Sequence, residues 1–148
     1  MASINFKSEI MILPEIKHFN PNHSVNENDV FALSKGLNAG KPLKNPGPNC
    51  FVIHCLNWKQ KELYQSILYA AWKTKAFEYH LCGSVIPFIH IDNFKKVLHQ
   101  KAENAFINYD RFKKDFKRYI ELDKYEKSIK KQLELIEKLK TVYISRNI

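Results

Sequence analysis

LYQSILYAAWKTKAFEYHLCGSVIPFIHIDNFKK, residues 63–96, carries a helix, a break, a strand and a second helix start in one stretch. Leu63, Tyr64, Ile67, Leu68, Ala71 and Trp72 recur at a spacing near 3.6, which puts an apolar stripe on one side of an α-helix. Asn57 precedes the run as an N-cap and Gln60 completes a weak capping-box pattern, so a helix is expected over about 58–78. Cys82-Gly83-Ser84 breaks it. Val85–Ile91 is a short β-branched run in which Pro87, lacking an N–H for the ladder, argues for an edge strand or a bulge. Asp92 is placed to cap the helix that begins NFKK.

Working outward, CFVIHCL at 50–56 has the apolar, β-favouring composition of a buried strand between turn residues. Before it, SKGLNAGKPLKNPGPN at 34–49 is too rich in glycine and proline for a helix or a central strand and reads as an ordered loop. Two apolar stretches, Ile10–Leu13 and Val30–Leu33, flank polar HFNPNHSVNEND and are expected as two strands, or as one strand with an irregular arm.

On the other side, Tyr109, Phe112, Phe116, Tyr119, Leu122, Tyr125, Ile129, Leu133, Ile136, Leu139 and Tyr143 follow in steps of three and four. No glycine or proline interrupts residues 88–148. About 35 residues at ~1.5 Å each make a rod of roughly 50 Å, whose stripe needs a partner surface. Phe112, Phe116 and Tyr119 are expected to pack on the domain and the later Leu and Ile positions to form a helix-pairing seam, with a bend near Asn104–Tyr109. The fold class is therefore α+β: a small mixed sheet with packed helices over 1–104, then a long C-terminal helix over 105–148.

Composition sets the class of protein. With 148 residues, 45% hydrophobic and 13% aromatic, the chain has material for a packed core. No run approaches 18 apolar residues, and Glu9 and Glu15 interrupt the N-terminus, so a soluble, cytoplasmic protein without a membrane segment is expected. Cys50, Cys55 and Cys82 are odd in number and sit in apolar runs, as reduced buried thiols do. The net charge of +9 divides as +1 over residues 1–48, +3 over 49–100 and +5 over 101–148, a gradient that favours polyanionic partners.

Motifs for enzymatic chemistry fail on spacing. GLNAGKP at 36–42 has three residues between its glycines where a Walker loop has four, and Pro42 stands in place of the hydroxyl residue, so it reads as a turn. Lys35, Lys41 and Lys44 still bring this loop's charge to bear on phosphates. Cys50, His54, Cys55 and Cys82 lack the paired short spacings of a zinc site, and the six histidines form no HExxH. Glu121 and Asp123 lie among lysines in a helical pattern, where ion pairing accounts for them. No enzyme, metal or cofactor is expected.

What remains is basic residues interleaved with aromatics. Lys73, Lys75, Tyr79, His80, Lys95, Lys96, Arg111, Lys113, Lys114, Lys117 and Arg118 are the candidate nucleic-acid contacts, lysine and arginine for phosphates and exposed polar or aromatic groups for bases. For any one of these residues a bland role competes, Trp72 and Tyr79 as core and the lysines as a solvated face.

Two resemblances bear on this set. The string LYQSILYAAWKTKAF, GSVIPFIHIDNFKK and then EKSIKKQLELIEKLKTVY resembles the end of a target-recognition domain and spacer helix of type I restriction-modification specificity subunits. That likeness implies a small α/β domain with a protruding helix, DNA as partner, and pairing of two copies through their helices. LSKGLNAGKPLKNPGPNCFVI with GSVIPFI looks like a family of small uncharacterised Bacteroidetes proteins, often suspected to travel on mobile elements. The expectation is a non-enzymatic DNA-binding, specificity-like module that forms a homodimer or binds a partner helix through its C-terminal helix. The alternative is a protein-interaction or structural module docking through that helix.

Overall fold

A computed structural model of the chain describes residues 11–146 and 148. The fold is α+β, with three long helices and two small antiparallel sheets among the described residues. It divides into two compact units, Met1–Asn108 and Tyr109–Ile148.

The first unit is built on β1 (Glu15–His18), β2 (Asp29–Leu33), β3 (Pro42–Leu43) and β4 (Cys50–His54), ordered β1-β4-β2-β3. The expected mixed sheet is antiparallel throughout. No helix lies between β1 and β4 along the chain, so no helical crossover is available to bring parallel strands side by side. Two helices, α1 (Trp58–Lys73) and α2 (Ile91–Ile107), pack on each other; α1 also packs on β2 and β3, and α2 on β1.

The register sorts the strand residues. Val30 pairs with Ile53 and Ala32 with Phe51, and these four, with Ile16 of β1, are buried on one face. Phe51 identifies that face as the helix side: its ring lies 4.6 Å from Phe94 of α2, which stacks at 5.2 Å on Phe77. The column ends at Gly40, with φ of 90°, where an added Cβ would meet the Phe77 ring at 2.2 Å. On the opposite face Phe31, Cys50 and Val52 form a second small cluster covered in part by Phe19 and Leu43. Burial on both faces explains why β2 and β4 read as unbroken apolar runs rather than alternating ones.

Helix α1 starts at the expected cap. Asn57 Oδ1 accepts from the Gln60 N–H at 2.9 Å, while Gln60 Oε1 accepts from the Leu56 N–H at 2.7 Å and Gln60 Nε2 donates to the Ile12 carbonyl at 2.7 Å. The fully buried Gln60 thus ties the N-terminal arm to the helix start. The helix ends at Lys73 rather than 78. Lys75 adopts φ of 60°, its N–H donates to Trp72 O at 3.0 Å, and the Ala76 N–H donates to Ala71 O at 2.9 Å, which closes the helix as a Schellman motif.

Three local expectations are corrected. Ile10 lies outside the described residues and Met11–Leu13 are exposed, while β1 forms at Glu15–His18, where Ile16 is the one buried residue and backbone pairing with β4 supplies the rest. Val85 and Ile86 are exposed in a hairpin turn; β5 (Leu81–Cys82) pairs with β6 (Phe88–Ile89), and Phe88 also bridges Lys35. Gly83, φ 94°, permits that turn, since a Cβ there would meet the Ile86 carbonyl oxygen at 2.8 Å. Asp92 lies in the first turn of α2, and the N-cap is His90, whose carbonyl accepts from the Phe94 N–H at 2.9 Å.

Helical geometry breaks at Asn108, with φ −120° and ψ 44°. The second unit holds α3 (Tyr109–Ser145), 37 residues among which none is buried. Phe112 and Phe116 stack on each other within it, their centroids 5.8 Å apart.

Candidate functional site

The sequence-predicted basic residues of the first unit converge best around Trp72, in the last turn of α1. Lys73 Nζ lies 5.0 Å and Lys41 Nζ 5.5 Å from its ring centroid. A cleft of about 190 Å³ adjoins the ring, lined by Leu37, Asn38, Trp72, Lys73, Lys75 and Glu78 among others. The Schellman closure turns the chain here and sets Lys75 against Glu78 in an exposed ion pair of 3.2 Å. Two residues beyond Phe77, which anchors the turn in the core, Tyr79 is 93% exposed and meets the edge of His80 at 5.6 Å. Trp72 is half-buried, so the bland core role fits Trp72 in part and Tyr79 not at all.

Lys73, Lys75, Tyr79 and His80 therefore share one neighbourhood, and Lys41 joins them from the loop before β3. Lys95 does not. The carboxyl of Glu15 in β1 is held below its ordinary range first by the Lys17 hydrogen bond, with Lys95 a further charge acting on it. Lys95 belongs to α2, which packs on β1, the edge of the sheet opposite β3. Lys96 is exposed on α2. Arg111, Lys113, Lys114, Lys117 and Arg118 are exposed on α3, in the second unit. Asp115 offsets part of their charge, at 3.6 Å from Arg111 and 3.4 Å from Arg118, and Lys113 lies over the Tyr109 ring at 5.6 Å.

The groups with acid–base chemistry occupy structural places. Asp29 is buried; its Oδ1 holds His54 Nδ1 at 2.8 Å and its Oδ2 accepts from the Asn26 N–H at 2.8 Å. The adjoining cavity of about 60 Å³ has room for roughly two waters. This pair ties the paired ends of β2 and β4, and the separation of its members by 25 residues hid it from sequence reading. Cys50 and Cys55 have thiols pushed up by burial, Cys55 to about 12 with the Asp29 charge adding to the effect, so neither supplies a thiolate. Among the described residues no group of three His, Cys, Asp or Glu side chains is placed to hold a metal ion, and no helix is long and apolar enough to cross a membrane.

A search of curated proteins returns no match. A protein-family model covers nearly all of the sheet, both packed helices and the long helix, matching residues 16–146. The chain belongs to that family, a family of unknown function designated DUF6943.

Proposed function

We propose that the protein is a nucleic-acid-binding module that contacts its ligand through the end of α1, without catalysing a reaction on it. The observation that carries this reading is the gathering of Lys41, Lys73 and Lys75 around Trp72, with the 93% exposed ring of Tyr79 four residues past Lys75 in the same turn of chain. Lysines on a turn meet phosphates without reading sequence, and an uncovered aromatic ring stacks on a base that is not already stacked in a duplex. The finer reading, a specificity-like module of restriction-modification type, draws on the likeness of Leu63–Lys96 and the helix that follows.

Titrating a single-stranded oligonucleotide and a duplex of the same sequence across salt concentrations tests it. Affinity for the single strand should fall with salt with a log–log slope of about 2, from three phosphate contacts. The Lys41→Glu, Lys73→Glu, Lys75→Glu variant should lose most of the binding, and Tyr79→Ala should weaken it by roughly 1–3 kcal/mol. Absence of binding at low salt, or equal affinity in the triple variant, refutes the reading. The unburied apolar residues of α3 favour a second reading, an interaction module docking through that helix.

A further inference from the structure

From Leu122 to Tyr143 the apolar positions Leu122, Tyr125, Ile129, Leu133, Ile136, Leu139 and Tyr143 take twenty-one residues in six steps, a mean of 3.5. Leu122, Ile129, Ile136 and Tyr143 fall seven apart, which matches the repeat of a paired helix. These side chains are 42–68% exposed. With Leu122, Ile129, Ile136 and Tyr143 as heptad positions a and Tyr125, Gln132 and Leu139 as positions d, the flanking e positions are Glu126, Leu133 and Lys140, and the g positions are Glu121, Ser128, Leu135 and Val142.

These flanks select a partner and a direction. In a parallel pair of identical helices, each g residue faces the e residue five places on in the other chain. Glu121 would then face the partner's Glu126, and Leu135 the partner's Lys140. The first pairing sets like charges together twice, and the second spends a buried-rim leucine on an ammonium group. In an antiparallel pair about a two-fold axis level with Glu134, e positions face e positions on one flank and g positions face g positions on the other. Glu126 then meets the partner's Lys140 and Lys140 the partner's Glu126, while Leu133 meets the partner's Leu133. On the other flank Leu135 meets the partner's Leu135 and Ser128 the partner's Val142. Inside, Ile129 packs with the partner's Leu139, Tyr125 with the partner's Tyr143, and Ile136 with the aliphatic stem of the partner's Gln132. Within each helix Glu126 already holds Lys130 at 2.6 Å and Lys140 holds Glu137 at 2.8 Å, so the cross pairs extend two existing ion pairs into networks.

We infer that α3 is a dimerisation surface whose occupant is α3 of a second copy of this chain, antiparallel and centred level with Glu134, between Leu133 and Leu135. A self-complementary patch of this kind is what two-fold symmetry requires of an isologous interface.

Sedimentation equilibrium of the full chain tests the arrangement through two exposed charge reversals. Glu126→Lys and Lys140→Glu should each weaken the dimer on the order of tenfold, since each turns two attractive contacts into repulsive ones. An equimolar mixture of the two variants should regain wild-type affinity, because every cross pair in that heterodimer joins opposite charges. A parallel dimer responds with the opposite sign to Glu126→Lys, which would place lysine against the partner's Glu121 and tighten association. Tightening, or a mixture no stronger than its parents, overturns the inference. So does a wild-type chain that stays monomeric at every concentration. None of these outcomes touches the nucleic-acid reading, which rests on lysines of the first unit.

Discussion

The two units solve opposite problems. In the first, β2 and β4 are buried on both faces, and Phe51, Phe77 and Phe94 form a ring column with essentially no exposed surface. In the second, 37 residues of helix leave their apolar side chains in solvent and link their charges along the helix at spacings of three and four. Ion pairs of that kind contribute about 0.3–0.5 kcal/mol each, against about 1.5–3 kcal/mol for one fully buried aromatic or aliphatic side chain. The first unit is stabilised from within. The second has the pattern of an element whose packing energy is realised only on a partner.

The sharpest way to break this contrast is to remove one apolar side chain from each unit. Phe94→Ala empties the centre of the ring column and should cost about 3–5 kcal/mol, read as a lowered urea midpoint. Ile136→Ala, at a position 52% exposed, should change the stability of dilute protein by less than about 0.5 kcal/mol. A comparable loss from both would mean that α3 is already covered in the isolated chain, and the comparison would fall.

A smaller effect of opposite sign comes from the end of α1. Lys75 holds φ of 60°, where a residue with a Cβ is strained and glycine is not. Its ion pair with Glu78 is exposed and contributes little. Lys75→Gly should therefore raise stability by about 0.5–1 kcal/mol, measured as an increased midpoint at unchanged slope. A decrease would show that the Glu78 pair or the lysine stem matters more than the backbone. Either result sharpens the comparison, since it asks whether an exposed position of the first unit gains from backbone relief alone.

The parts of the fold legible in sequence were those whose cause is local. Asn57 and Gln60 marked the start of α1, the apolar run at 50–54 marked β4, and the steps of three and four marked α3. Missed features depend on where distant segments meet, or on a backbone conformation that the residue type does not announce. β1 has one buried side chain and exists because its backbone pairs with β4, and α1 stops early because a lysine accepts a left-handed backbone. The same reason governs the candidate site. Lys73, Lys75, Tyr79 and His80 are neighbours in sequence and stay together, whereas Lys95 follows α2 to the β1 side and Lys41 arrives through the loop before β3. A continuous basic face read along the chain is divided once the helices are laid on the sheet.

The least of the expected effects concerns pH and is again unequal between the units. All six histidines precede Tyr109, and the one whose proton affinity is shifted by burial, His99, lies in α2 of the first unit. His99 has a buried Nε2 with no hydrogen-bond partner, and burial lowers its pKa, Glu103 opposing and Lys95 assisting. The folded chain then binds a proton at this ring less readily than the unfolded chain, whose histidine titrates near about 6.5. Because the folded value is the lower one, the stabilisation is present above the unfolded pKa and declines as pH falls through it. Unfolding free energy from urea titrations should drop between about pH 7 and pH 5, and His99→Gln should flatten part of that drop. An unchanged pH slope in the variant would remove His99 from the account. A slope unchanged by deleting residues 109–148 would confine the response to the first unit.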